Sequence, residues 1–195
     1  MKSKKIISIF FVLFCVVSLG FSKSAENSVK TKKTIGLETG LNLVNLYPIG
    51  EFSDYAKATF GAEIFVNYFL PKKIVKTENF GITANFGLNK VFSNGKYLEK
   101  FSMNYFSVGA FYLLNLPKSF QIKPQLNIGF INHKTKGGYE MKDSYFDLMF
   151  SVSCDLRYDF KYNIIFNFSP VYNFIPVNDG VIHYFGVKLG ACYCF

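Results

Sequence analysis

The sequence predicts an all-β chain, an eight-stranded antiparallel up-and-down transmembrane β-barrel, on three observations. Apolar and polar residues alternate with a period of two in long runs. There are eight such runs, with turn residues between them. One face of the runs carries large apolar side chains, while the other carries Gly, Ser, Asn and ionised groups. Period two is the strand signature, because successive side chains point to opposite faces of a sheet. Composition agrees: half of the 195 residues are hydrophobic and 19% aromatic, with 24 Phe, 13 Tyr and no Trp. So many rings demand shelter, which excludes a disordered or collagen-like chain.

Taken in order, the chain opens with an export signal over residues 1–22. Lys2, Lys4 and Lys5 precede an apolar stretch from Ile6 to Leu19, and Gly20-Phe21-Ser22 offers small residues at a cleavage site. That stretch is 14 residues, short of the roughly 20 a bilayer-spanning helix needs. Residues 23–33 are polar, Lys-rich and aperiodic, and read as a flexible segment. Residues 34–195 form a single barrel domain. The formal charge of +9 falls to +6 without the leader lysines, a mild excess.

The strands are expected at Ile35–Val44, Ala58–Leu70, Phe80–Lys90, Met103–Leu114, Phe120–Phe130, Phe146–Tyr158, Asn163–Phe174 and Phe185–Phe195. The fifth, sixth and eighth carry the cleanest alternation. Eight strands over 162 residues give about 20 residues per strand and connection, enough for the roughly 9 to 11 residues of a tilted crossing. Connections differ by parity, as when one set faces each side of a membrane. The set after odd strands comprises 47–57, 91–100, 133–144 and 175–180; two of the other three, 115–119 and 159–162, are tight. Pro124 and Pro170 interrupt strands; because proline cannot donate to a ladder, each is expected to leave a neighbour's carbonyl unpaired or to force a bulge, and both are expected at kinks.

The polar face decides which way the sheet turns. An eight-stranded barrel is only just wide enough inside for side chains, so Gly40, Asn42, Gly87, Ser107, Gly129 and Ser151 belong there and the large rings belong outside. Outside must then be hydrocarbon, since contiguous bands of rings in water would aggregate. The same inward face holds Glu38, Glu63, Lys123, Asp147, Asp155, Arg157, Asp159 and Lys188. The basic ones would each cost about 2 to 4 kcal/mol against lipid near the midplane. Inside they can pair. Glu63 or Glu38 is expected to pair with Lys188, and Arg157 with acids from neighbouring strands, giving a plugged interior.

Candidate chemistry is sparse. Cys154, Cys192 and Cys194 are an odd number and give no disulfide framework; Cys192 and Cys194 point the same way but have no further ligand at metal spacing. Only His133 and His183 exist, and neither has a Ser and a carboxylate placed for nucleophilic catalysis. No enzyme activity, metal or cofactor is expected, and no nucleic-acid motif is present.

The export signal, the eight alternating strands and the final segment Phe185-Gly186-Val187-Lys188-Leu189-Gly190-Ala191-Cys192-Tyr193-Cys194-Phe195 resemble small bacterial outer-membrane β-barrel proteins of the OmpW/OmpX-like group. The segment Pro48–Tyr55, followed by Gly61, also resembles first outer loops in such barrels. The resemblance implies residence in the bacterial outer membrane and contact with its lipid. It also implies assembly by the outer-membrane machinery, with Val187, Leu189, Tyr193 and Phe195 as the signal read. Without Trp, the interfacial girdles would fall to Tyr47, Tyr68, Tyr97, Tyr112, Tyr158 and Tyr172.

Two roles follow as expectations. One is a structural or surface-interaction barrel, whose extracellular loops carry Lys90, Lys96, Lys100, Lys134, Lys136 and Lys142 beside Phe92, Tyr97 and Tyr139. That combination suits anionic surface ligands, though it also describes ordinary solvated loop ends. The alternative is a narrow channel for small, apolar solutes, lined by Phe65, Met103, Tyr105, Phe111 and Met149, which serve equally well as core filler.

Overall fold

The computed structural model describes residues 36–54, 56–71, 73–75, 77–93, 100–136, 142–177 and 180–195. The export signal and the segment 23–33 lie outside them, as do Lys96, Tyr97 and Tyr139. The strands are β1 (Leu37–Ile49), β2 (Ala56–Phe69), β3 (Phe80–Ser93), β4 (Lys100–Tyr112), β5 (Leu114–Asn115), β6 (Phe120–Lys136), β7 (Lys142–Asp159), β8 (Ile164–Val177) and β9 (Gly180–Cys194). Each long strand pairs antiparallel with the next, β4 pairs with β6, and β9 closes on β1. The two-residue β5 continues β4 past Leu113. The result is a closed eight-stranded, up-and-down antiparallel barrel, the arrangement that leaves no sheet edge.

Of the two expected outcomes at the prolines, an opened ladder occurs and a bulge does not. Around Pro124, the β4–β6 ladder stops at Phe111↔Gln125 and resumes at Leu114↔Ile122, with the register unchanged. Around Pro170, the β7–β8 ladder stops at Ser153↔Val171 and resumes at Leu156↔Phe168, again in register. Each proline therefore opens two pairs of one ladder without shifting its register, because the missing N–H removes a bond. The register shift in the ladders lies elsewhere, between Ala56 and Ala58 at the start of β2.

Strands also run farther than the apolar alternation. β6 and β7 are 17 and 18 residues long and pair as far as Lys136↔Lys142, inside the stretch expected as a loop. Alternation of apolar residues ends where lipid would end, whereas backbone pairing needs only another strand. Lys90, Lys100, Lys134, Lys136 and Lys142 accordingly sit in strands rather than loops. Pro48 and Ile49 likewise belong to β1, and the connection after it is a short 3-10 turn, Glu51–Asp54. On the opposite end, the turns into β6 and β8 each hold two successive left-handed residues, Lys118 and Ser119, and Tyr162 and Asn163. Such backbone matches the right-handed twist of tight hairpins.

Burial alternates along every long strand. In β1, Asn42, Val44 and Leu46 are buried, whereas Leu41, Leu43 and Tyr47 are exposed. Large apolar and aromatic residues line the exposed face of every long strand, while the buried set holds more polar than apolar residues. The sheet is inside out relative to a water-soluble barrel, so its wall faces lipid.

Candidate functional site

The interior is organised in layers. Glu63 on β2 is the centre of the middle layer, accepting hydrogen bonds from Asn42 at 2.8 Å, the Tyr105 hydroxyl at 2.6 Å and Lys188 Nζ at 2.7 Å. Asn167 donates to Asn42 at 2.7 Å and carries the network onto β8. Below lie two further ion pairs, Lys123–Asp155 at 2.8 Å and Arg157–Glu38 at 2.8 Å, with Asn67 donating to Glu38 at 3.0 Å.

Glu63 is thus the acid that meets Lys188, one of the two anticipated, with β1 between their strands. Arg157 departs from expectation. Its partner Glu38 lies on β1, beyond β8 and β9, rather than on a neighbouring strand. In a narrow barrel, a long side chain reaches across the lumen as readily as along the wall. Asp147 stands apart towards the loop end, 3.3 Å from His133 Nδ1. Asp159 is half-exposed at the end of β7.

Glycines set how these groups meet. Glu63, Gly87 and Tyr105 share one cross-strand row, and so do Phe69, Gly81 and Phe111. A methyl on Gly87 would collide with the Tyr105 ring, and one on Gly81 with the Phe111 ring. The bare position lets the outer two side chains touch across it. Tyr105 thereby reaches Glu63, and the Phe111 ring meets Phe69 edge-on at 5.1 Å. This device is invisible to sequence reading, which shows only small residues filling a narrow space; strand register is needed to see which large neighbours each glycine joins.

Apolar inward residues divide into separate groups. Met103, Tyr105 and Met149 join Val44, Leu46, Ile131, Ile175 and Tyr184 in a cluster towards the loop end, where Phe52 of the 3-10 turn packs edge-on against Tyr184. Phe65 belongs to a second group with Ile165 and Cys192, and Phe111 to a third with Phe69 and Leu113. Lys123 Nζ stands between the last two, 5.5 Å from the Phe65 ring centre and 5.1 Å from that of Phe111. A polar void of about 10 Å³, room for one water, lies among Asn42, Glu63, Asn85, Lys123, Asp155 and Lys188.

Among the described residues, Cys154, Cys192 and Cys194 are free thiols. Cys192 accepts a long contact from Arg157 at 3.7 Å, Cys194 donates to Glu38 at 3.6 Å, and Cys154 is half-exposed. His183 meets the Tyr172 hydroxyl at 2.7 Å. Among the described residues, no three His, Cys, Asp or Glu side chains converge as a metal centre would require. On the outer wall, Val187, Leu189 and Tyr193 alternate along β9, and the Tyr193 and Phe195 rings meet edge-on at 5.0 Å. Tyr47, Tyr68, Tyr112 and Tyr158 are exposed towards the two ends of the wall.

A closed antiparallel barrel with an apolar wall and a polar, ion-paired interior defines a transmembrane β-barrel. Solved structures share this fold. Neisserial surface protein A superposes with a TM-score of 0.65 at 11% identity, covering 82% of this chain and 97% of that one. A major outer membrane protein from Thermus thermophilus gives 0.56 at 11% identity over 80% and 99%. The outer membrane protein OprG from Pseudomonas aeruginosa gives 0.55 at 11% identity over 83% and 96%. No family model and no curated protein sequence matches the chain. The chain has the fold of these barrels, in keeping with the resemblance carried by its strands.

Proposed function

We propose that this chain is an integral protein of the bacterial outer membrane with a closed, hydrogen-bonded interior, and that it acts structurally and through its extracellular end rather than as an enzyme. The observation that carries this reading is the interior network: three ion pairs bridge strands around the lumen, two of them across intervening strands. An open water-filled path would keep such groups solvated instead of pairing them. Membrane lipid is the partner of the wall. The assembly machinery would read Val187, Leu189, Tyr193 and Phe195 on the last strand, and anionic surface ligands would meet the loop end.

The alternative, a narrow path for small apolar solutes, needs its apolar inward residues to be continuous. Phe65, Phe111 and the Met103–Met149 group are instead divided by Lys123 and the Glu63 network. Planar-bilayer recording of the refolded protein separates the readings. The closed barrel gives a silent baseline, and replacing Lys96, Lys100, Lys136 and Lys142 by glutamine lowers binding to sulfated glycan surfaces. Stepwise currents from the intact chain would overturn the closed interior, and unchanged glycan binding would overturn the loop role.

A further inference from the structure

The apolar wall is not uniform around the barrel. On β3, β4 and β6, three outward rows succeed one another towards the loop end. The first is Phe86, Phe106 and Phe130; the second Leu88, Asn104 and Asn132; the third Lys90, Ser102 and Lys134. Lys90 and Lys134 are exposed, and the register brings the backbones of Lys100, Lys136 and Lys142 one row beyond. Towards the same end, the outward positions of β1, β8 and β9 carry Tyr47, Ile49, Phe174, Val181, His183 and Phe185, with no lysine or arginine among them. The basic residues therefore gather on one sector rather than forming a ring.

Rows on the same face of a strand follow at about 7 Å, and strands two apart in a sheet are separated by about 10 Å. In order, the sector offers rings, then two amides, then two ammonium groups flanking a hydroxyl. That is the order of chemistry along a phosphate-bearing lipid, from acyl chain through ester to phosphate. No carboxylate stands among the described outward positions of these strands to compete for the lysines. Lysine binds phosphate as a compact charge on a flexible stem, and the membrane interface strengthens that attraction relative to open water.

We infer that this sector is a docking site for a phosphate-bearing membrane lipid, its phosphate held between Lys90 and Lys134 and its acyl chains laid along Phe86, Phe106 and Phe130. The inference rests on the barrel spanning a membrane and is independent of the loop role and of a closed interior.

Native mass spectrometry of the refolded barrel in detergent tests it, with dioleoyl phosphatidic acid, dioleoylglycerol and inorganic phosphate as probes. One phosphatidic acid molecule should remain bound, and dioleoylglycerol should not. The double variant K90Q/K134Q should weaken retention about 25-fold, at about 5-fold per lysine. K118Q/K161Q, at the opposite end, should retain wild-type affinity. The single variant K134Q, expected to lose about 5-fold, provides the same reading should the double variant fail to fold. Equal retention of dioleoylglycerol, unchanged affinity in the folded lysine variants, or displacement by millimolar inorganic phosphate alone would each overturn the site, the last by showing a free-anion site in its place.

Discussion

Arg157 is 1% exposed and holds Glu38 across the lumen, so each charge depends on the other for its solvation. Replacing a buried pair by apolar or neutral groups is often tolerated, but removing one member strands the other in a poorly solvating interior. Arg157→Met should therefore cost about 3–5 kcal/mol, and the double variant Arg157→Met/Glu38→Gln should recover most of that loss. Denaturant titration of the refolded protein in lipid vesicles measures both. Equal destabilisation by the single and double changes would mean that the pair contributes nothing as a pair. That Arg157 points inward was legible from its place in an alternating strand. Its partner was not, because the identity of the acid depends on where Glu38 and Arg157 come to lie around a closed lumen, and closure leaves no mark on local sequence. The Tyr105–Glu63 bond across Gly87 was hidden for the same reason.

Eight strands were readable because alternation reports the two faces of each one, but their ends were not. The apolar pattern stops with the hydrocarbon layer, while β6 and β7 continue pairing beyond it and carry their lysines with them. Prolines were visible as interruptions, yet only the register shows that Pro124 and Pro170 open a ladder without shifting it. At the tight end, the connection into β6 shows a local cost. Ser119 is held at φ 63°, a left-handed conformation that a non-glycine residue adopts at about 1–2 kcal/mol, and its side chain is exposed. Ser119→Gly relieves that strain and gives back part of the gain through a more flexible unfolded chain. The net expectation is a stabilisation of about 0.5–1 kcal/mol, read from the unfolding midpoint in vesicles. A lower midpoint would mean that the serine makes an interaction outweighing its backbone cost.

For the whole molecule, the decisive property is which face meets hydrocarbon. Leu43 and Leu189 are register partners on the closing strands β1 and β9, and both are more than half exposed, at 53% and 54%. In a water-soluble barrel, replacing such an exposed leucine by lysine would be neutral or favourable, because it removes apolar surface from water. In a membrane the sign reverses: an ammonium near the midplane must shed its hydration or draw water and headgroups inward, at about 2–4 kcal/mol. Leu43→Lys should accordingly destabilise the barrel in vesicles by that amount, whereas Leu43→Lys and Leu189→Lys together should exceed twice the single cost, because two like charges would then stand side by side on paired strands. Asn45, the next outward position of β1, lies closer to the loop end, so Asn45→Lys should cost far less. The comparison of Leu43→Lys with Asn45→Lys isolates depth in the bilayer from any general effect of added charge. Equal, small effects at both positions would place the leucines in water and turn the barrel the other way round.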